Sequence, residues 1–282
     1  MTLSDLIEAA LKEDMPRGDL TTDSLALVPR DGEARLIAKQ DLVLSGTAAF
    51  EQTVLALDPT GRVQWNFKEG DHVLDRQIIC LINGDLIQLL KAERVALNFI
   101  SHLSGIATFT RQFVKAIEGT QTKILDTRKT LPAFRDLERR AVANGGGTNH
   151  RRSLSDAILI KDNHILVAGG VAAAIRRVRQ HSSEKIEIEA SDLAQVREAV
   201  ESGADRILLD NMDNALISES LKLIPASIET EASGNMRLER VASFAKLGVT
   251  YISVGALTHS APSADVSLLF DWQQSHARNA AS

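Results

Sequence analysis

Lys185-Ile186-Glu187-Ile188-Glu189, then Leu193–Ser202, then Arg206-Ile207-Leu208-Leu209-Asp210 is the stretch that decides the fold. The outer runs are short and rich in branched apolar residues, while the segment between them spaces its apolar side chains as a helix does. Strand, helix, strand is the repeating unit of a parallel sheet, because parallel neighbours need a crossover between them. Working outward, the strand pattern recurs. Lys123–Asp126 and Ala157–Lys161 come before it, Ser227–Glu231 and Tyr251–Gly255 come after it, and helical segments lie at Val171–Arg179 and Leu238–Leu247. After the third run the repeat settles at roughly 20–25 residues, one strand plus one helix. A doubly wound sheet and an α/β barrel both fit this spacing. Charge favours the barrel: Asp126, Lys161, Glu189, Asp210 and Glu231 all close apolar runs, and a barrel gathers the C-terminal ends of its strands into one ring where its active sites lie. The spacing predicts a barrel with fewer than eight complete strands.

The first hundred residues read differently. Ser4-Asp5 is placed to cap a short helix over Leu6–Leu11. Arg35–Ala38, Val63–Phe67 and Gln77–Ile82 read as strands separated by Asp31-Gly32, Thr60-Gly61 and Asn83-Gly84. A long helical pattern follows from Leu86 to Glu118, with Leu97, Ile100, Leu103 and Ile106 on one face and Gly105 as the point where it is expected to loosen. This half reads as a mixed α+β domain.

A length of 282 residues allows two moderate domains or one large barrel, and 44% hydrophobic residues with only 4% aromatics imply a largely aliphatic core. The net charge of −5 argues against nucleic acid as the main partner. A lone cysteine, Cys80 in Ile78-Ile79-Cys80-Leu81-Ile82, forms no internal disulfide and reads as a small buried hydrophobe. No basic segment followed by an apolar one opens the chain, and no apolar run approaches the roughly 18 residues of a membrane span. The expectation is a soluble cytoplasmic protein.

The residues richest in chemistry run from Asp126-Thr127-Arg128-Lys129-Thr130, through Gly145-Gly146-Gly147-Thr148-Asn149-His150-Arg151-Arg152, to Ile160-Lys161-Asp162-Asn163-His164. Arg128, Lys129, His150, Arg151 and Lys161 would bring several cations to neighbouring strand ends, where they repel one another unless anions compensate. Arginine forks suit carboxylate or phosphate. The triple glycine is either a flexible connection or a place where backbone approaches a ligand; it is not a P-loop, since no Gly-Lys-Ser/Thr follows. Glu189 and Asp210 suit Mg²⁺ held through water or ribose hydroxyls, and pairing with the nearby cations is the competing use. Ala232-Ser233-Gly234-Asn235 and Ser253-Val254-Gly255-Ala256 follow two late strands, as either a phosphate-binding pair of loops or ordinary turns. His150 and His164 lack zinc-site spacing, and His72 and His102 read as surface or packing residues.

Taken in order, these segments resemble the quinolinate phosphoribosyltransferases. The resemblance runs from Arg17-Gly18-Asp19-Leu20-Thr21-Thr22 to Gly255-Ala256-Leu257-Thr258-His259-Ser260, and it is strengthened by Glu93-Arg94-Val95-Ala96-Leu97-Asn98, Leu103-Ser104-Gly105-Ile106-Ala107-Thr108 and Leu208-Leu209-Asp210-Asn211. It implies an α/β chain of type II phosphoribosyltransferase architecture. An N-terminal α/β sandwich at 1–108, with the tail 265–282 packed back on it, would join an incomplete barrel of about seven strands at 109–264. The implied activity is decarboxylating transfer of phosphoribose from phosphoribosyl pyrophosphate to quinolinate, with Mg²⁺ and no organic cofactor. The implied assembly is a homodimer with shared active sites, or a hexamer of such dimers. By motif match, Arg94 of the neighbouring chain, Thr127, Arg128, His150, Arg151 and Lys161 would meet quinolinate. Lys129, Lys161, Glu189, Asp210, Ser233, Gly234 and Gly255 would hold phosphoribosyl pyrophosphate, Glu189 and Asp210 also serving Mg²⁺. Two departures stand beside the site: Arg152-Ser153 replaces an apolar residue and glycine, and Ala190 replaces a β-branched residue. A fold-sharing paralogue associated with molybdenum transport departs from the Lys-Asp-Asn-His pattern kept here at 161–164. A sensor of acidic metabolites would not need Glu189 and Asp210 beside a phosphate loop.

Overall fold

The computed structural model describes residues 2–271. The chain divides into two compact units. One comprises the chain up to Phe109, Asp136–Gly146 and the described residues from Ala261; the other comprises Thr110–Arg135 and Gly147–Ser260.

The first unit begins with α1 (Leu3–Asp14) and α2 (Leu20–Ser24), followed by β1 (Asp31–Ala38), β2 (Leu42–Val43), α3 (Thr47–Leu57), β3 (Arg62–Trp65), β4 (His72–Val73), β5 (Ile78–Asp85) and α4 (Leu86–Ala116). Thr2, rather than Ser4-Asp5, caps α1: its hydroxyl accepts from the Asp5 amide while the Asp5 carboxylate accepts from the Thr2 amide, so two orphan donors are satisfied and the helix starts earlier than its apolar pattern suggests. The expected separators Asp31-Gly32 and Asn83-Gly84 lie inside β1 and β5, where Gly32 pairs with Gly84 across the ladder. A Cβ on Gly32 would meet the Leu86 side chain at 2.5 Å, so this glycine serves close packing and not a turn. The antiparallel order is β12-β1-β5-β3, with β12 (Val266–Asp271) returning to pair with β1; residues 272–282 of the expected tail lie outside the described residues. Leu36, Leu44, Phe50, Ile79 and Ile82 form the core with the face of α4 that carries Leu89, Ala96 and Ile100. Cys80 is buried in it, and burial pushes its thiol pKa up, which leaves it inert. Gly105 does not loosen α4. It makes room for a crossing segment, since a Cβ there would lie 2.9 Å from Ser263 Cα, and the Ala264 amide donates to Ser101 C=O at 2.9 Å.

Beyond α4 come β6 (Lys123–Leu125), α5 (Arg135–Asn144), β7 (Ile158–Ile160), α6 (Asp162–Ala168), α7 (Val171–His181), β8 (Ile186–Ala190), α8 (Leu193–Glu201), β9 (Arg206–Asp210), α9 (Asn214–Leu223), β10 (Glu229–Ser233), α10 (Leu238–Leu247), β11 (Tyr251–Ser253) and α11 (Ala256–His259). All six strand runs read from the sequence form strands of one parallel sheet, ordered β6-β11-β10-β9-β8-β7. A further, one-residue strand is present as the parallel bridge of Thr148 with Leu125, on the free side of β6. The sheet curls. His150 follows that bridge at one end of the strand order, yet its Nε2 lies 3.3 Å from Glu187 on β8 and 3.4 Å from Glu231 on β10. A flat sheet would hold strands so far apart in the order well beyond side-chain reach, given about 4.8 Å per strand; the six strands and the bridge form an incomplete barrel with these side chains inside it.

Candidate active site

Strand pleating sends alternate residues to the barrel interior. The inward series is Glu187 and Glu189 on β8, Arg206, Leu208 and Asp210 on β9, Glu229, Glu231 and Ser233 on β10, and Tyr251 and Ser253 on β11, as the lining of two cavities shows. Outward neighbours such as Ile188, Ile207, Leu209, Ala232 and Ile252 are buried against the helices. Polar groups therefore fill a bore that barrels usually pack with branched apolar side chains.

At the C-terminal strand ends lies a cavity of about 620 Å³. Thr127, Arg128, Lys129, His150, Arg151, Lys161, Glu189, Asp210, Ser233, Gly234 and Gly255 all line it. Arg94 does not: it is exposed on α4 in the first unit, beside a cavity lined by Arg17, Asp19 and Lys91. Sequence reasoning did not single out Asn211, Asn235 and His259, which also line the barrel cavity.

The loops are fastened by side chains from below and beside them. Arg135, at the start of α5, donates to Thr130 Oγ1 at 3.0 Å, Arg152 C=O at 3.1 Å and Arg128 C=O at 3.4 Å, which stitches two cation-bearing loops together. Thr258 Oγ1 donates to Lys129 C=O at 2.7 Å. Arg240 does the same for the late loops, reaching Gly234 C=O at 3.2 Å and Met212 C=O at 2.8 Å. Asp126 is fully buried and accepts the His150 amide at 2.6 Å. The unusual Arg152-Ser153 pair sits in a turn closed by Asp156, whose carboxylate accepts both backbone amides and the Ser153 hydroxyl.

The cavity lining carries both signs of charge. On the basic side, Arg128 and Arg151 line the same cavity, and burial together with the Arg128 charge lowers the Arg151 pKa. Arg128 Nε is buried with no hydrogen-bond partner among the described residues, a donor that an anionic ligand would satisfy. On the acidic side, burial raises the Glu189 pKa and Asp210 adds to the rise, while Lys161 opposes it. The Glu189 and Asp210 carboxylates supply hard oxygen donors, and they fit a divalent cation such as Mg²⁺.

Gly234 has φ +100, and a Cβ there would lie 2.8 Å from the Asn211 amide nitrogen. Gly234→Ala is therefore expected to push the 233–235 loop away from β9 and raise KM for a phosphate-bearing substrate at least tenfold, with a smaller change for the other substrate. Steady-state kinetics with each substrate varied would check this, and equal changes in both KM values would count against a phosphate role for the loop.

Deeper in the bore, the ligand atoms of His150, Glu187 and Glu231 lie within 4.8 Å of one another. The group resembles a metal site, but Arg206 Nη1 already stands 3.7 Å from Glu187 and 3.6 Å from Glu231. Arg206 and His150 Nε2 both serve these two acids, and a metal ion would have to displace Arg206. Burial lowers the His150 pKa, but the Glu187 and Glu231 carboxylates overcome it and push it up to about 9. Against full protonation, the Arg151 amide donates to His150 Nδ1 at 2.6 Å, a bond that needs a lone pair on that nitrogen. The amide belongs to the next residue and is fixed by the backbone, so the ring is assigned its proton on Nε2, shared between the carboxylates.

The family models decide the affiliation. Residues 19–104 match the quinolinate phosphoribosyl transferase N-terminal domain and residues 106–269 match its C-terminal domain. The chain belongs to the quinolinate phosphoribosyl transferase family. A probable nicotinate-nucleotide pyrophosphorylase (carboxylating) of Bacillus subtilis is 41% identical over 270 residues, covering 95% of this chain and 93% of that protein. The mitochondrial quinolinate phosphoribosyltransferase (decarboxylating) 2a of Nicotiana tabacum is 38% identical over 290 residues, covering 95% and 82%. The solved nicotinate-nucleotide pyrophosphorylase of Ehrlichia chaffeensis superposes with a TM-score of 0.92 at 37% identity, covering 96% and 99%. Membership accounts for the two-unit architecture and for the ordered motifs along the chain. Among the described residues of this family member, no helix is long and apolar enough to cross a membrane.

Proposed function

We infer that the protein transfers phosphoribose from phosphoribosyl pyrophosphate to quinolinate with loss of CO₂, giving nicotinate mononucleotide and pyrophosphate in NAD biosynthesis. The observation that carries this reading is the one cavity lined by Arg128, Lys129, Arg151 and Lys161 together with Glu189 and Asp210. The cations suit a dicarboxylate and a pyrophosphate, and the acids suit a ribose that becomes cationic.

Arg128 and Arg151 would fork the quinolinate carboxylates, with Thr127 and Lys161 bordering the same end and His150 beneath them. Lys129 and Lys161 would stabilise pyrophosphate as the anomeric C–O bond breaks and the pyridine nitrogen bonds to that carbon. Glu189 and Asp210 would hold the ribose and favour its developing positive charge. Ser233, Gly234 and Gly255 would receive the 5′-phosphate on exposed backbone amides. Glu189 and Asp210 are also the residues that would hold Mg²⁺ through its waters, the ion adding positive charge beside the departing pyrophosphate. No organic cofactor is required. Ribosylation makes the ring nitrogen cationic, so the ring can accept the electron pair left at C2 when CO₂ departs, and a proton then adds at C2. Holding both substrates in register is the larger part of the task, with each charge-assisted contact adding about 1.5–3 kcal/mol.

Mass spectrometry of products from purified protein, quinolinate, phosphoribosyl pyrophosphate and Mg²⁺ tests the reaction, and absence of nicotinate mononucleotide would refute it. The order is tested separately: quinolinate and Mg²⁺ alone are expected to release no CO₂ above background, and rapid release without the phosphoribosyl donor would reject glycosylation before decarboxylation.

The proposed assembly is a homodimer in which Arg94 of one chain completes the site of the other, alone or within a hexamer. The exposed position of Arg94 on α4 supports this. The proposed compartment is the cytoplasm, with cell fractionation as its test, since the Nicotiana tabacum relative is named as mitochondrial.

A further inference from the structure

Three charged residues along the bore, Glu187 and Glu231 buried and Arg206 half-buried, have no part in the chemistry above. Glu187 and Glu231 are 7% and 1% exposed. Arg206 lies between them in the strand order, on β9, and its guanidinium is fixed from the far side: Nη2 bonds Glu229 at 2.7 Å, and the group stacks over the Tyr251 ring at 4.3 Å. Tyr251 Oη donates to Glu229 at 3.0 Å, which closes the base of the network. Ser253 Oγ donates to Glu231 and sets the orientation of that carboxylate. Burying this much charge costs several kcal/mol unless every partner is well placed, and a barrel interior is ordinarily filled with aliphatic side chains instead.

The network leads to one residue. Glu187 and Glu231 converge on His150 Nε2 at 3.3 and 3.4 Å. The opposite ring nitrogen, Nδ1, accepts the Arg151 amide at 2.6 Å, and the His150 amide is held by Asp126. The ring is thus gripped on both edges, and its position sets the backbone from which the Arg151 guanidinium projects. That guanidinium is itself constrained, with Nη1 donating to Ala157 C=O at 2.9 Å, and it lines the same cavity as Arg128, whose like charge repels it. Without a rigid support the two arginines would separate.

We propose that Glu187 and Glu231, braced by Arg206, are positioning residues for the quinolinate end of the site: through His150 they hold Arg151 against Arg128, so that the pair is set for a dicarboxylate before it binds. This rests on the quinolinate reading above. Preorganised cations bind their anion without the cost of gathering them, so the network acts on quinolinate affinity and leaves the phosphoribosyl pyrophosphate contacts on β8, β9 and the late loops unchanged.

The test is a double-mutant cycle in the full-length protein. Glu187→Gln keeps the shape of the side chain and removes its charge; His150→Asn keeps an acceptor near the Nδ1 position and removes the Nε2 donor. Glu187→Gln is expected to raise the quinolinate KM about tenfold, to leave the phosphoribosyl pyrophosphate KM within about twofold, and to have little further effect in the His150→Asn background. Equal changes in both KM values, additive effects across the cycle, or unchanged kinetics would overturn the proposal. If Glu187→Gln does not yield folded protein, Ser253→Ala, which frees Glu231 without altering charge, is measured in the same way and judged by the same split. Wild-type protein that fails to convert quinolinate sinks the functional reading itself; active wild type with unselective variants sinks only this inference.

Discussion

Replacing Lys161 by alanine is expected to lower kcat about 10²–10³-fold while changing stability by no more than about 0.5 kcal/mol. The small second figure follows from placement. Lys161 is exposed at the start of α6, and the bonds that hold its backbone, from its amide to His164 Nδ1 at 3.0 Å and from the Ile165 amide to its carbonyl at 2.9 Å, do not involve its ammonium group. The large first figure follows from the proposed work of that ammonium group, since Lys161 lines the cavity and is proposed to meet both the quinolinate carboxylate and the pyrophosphate. A second readout comes from pH. Burial and Asp210 raise the Glu189 pKa, while Lys161 and, less strongly, the Asp162 amide lower it. With Lys161 gone the larger lowering influence is lost, so Glu189 takes up its proton at a higher pH. Because the ionised carboxylate is the working form, the acid limb of kcat/KM should move up in pH. The profile of the weakened variant measures this, and an acid limb that stays put or moves down would contradict the assignment of Lys161 and Glu189 to one charge system.

The parallel half of the fold was legible because its signal is local: six apolar runs, five of them ending in charge, became six strands of one sheet. The seventh was not legible, since Thr148 makes its bridge as a single residue in a glycine-rich segment with no apolar run around it. The ring of charges that lines the cavity was equally readable, as charges at strand ends stand out. Glu187 and Arg206 were missed because they lie within or at the start of strands, where a charge reads as the solvent side of an alternating pattern. The signal was nevertheless there: Glu187 and Glu189 alternate with Ile186 and Ile188, and in a barrel whose helices cover the outside, the polar set must face the bore. Gly32, Gly84 and Gly105 misled for a different reason. Sequence shows that glycine permits a turn, but not that a neighbouring side chain or a returning segment occupies the space of its Cβ.

Arg94 is the proposed site residue that neither strand ends nor cavity lining bring to the others, and it gives the sharpest test of assembly. Arg94→Ala and Lys161→Ala chains are each expected to be nearly inactive alone, and mixing them with subunit exchange should restore about a quarter of wild-type activity. The arithmetic is that of random pairing. Half of the dimers formed are mixed, and in each mixed dimer one site receives an intact Lys161 from its own barrel and an intact Arg94 from its neighbour, while the other site lacks both. A companion mixture sets the baseline. Lys129→Ala and Lys161→Ala chains both carry their defect on the barrel, so every site in every pairing lacks one lysine and no activity should return. Recovery in the first mixture and none in the second can arise only if Arg94 acts across the dimer. If proven exchange restores nothing in the first mixture, Arg94 serves its own chain or no chain, and the shared-site reading fails whatever the oligomeric state.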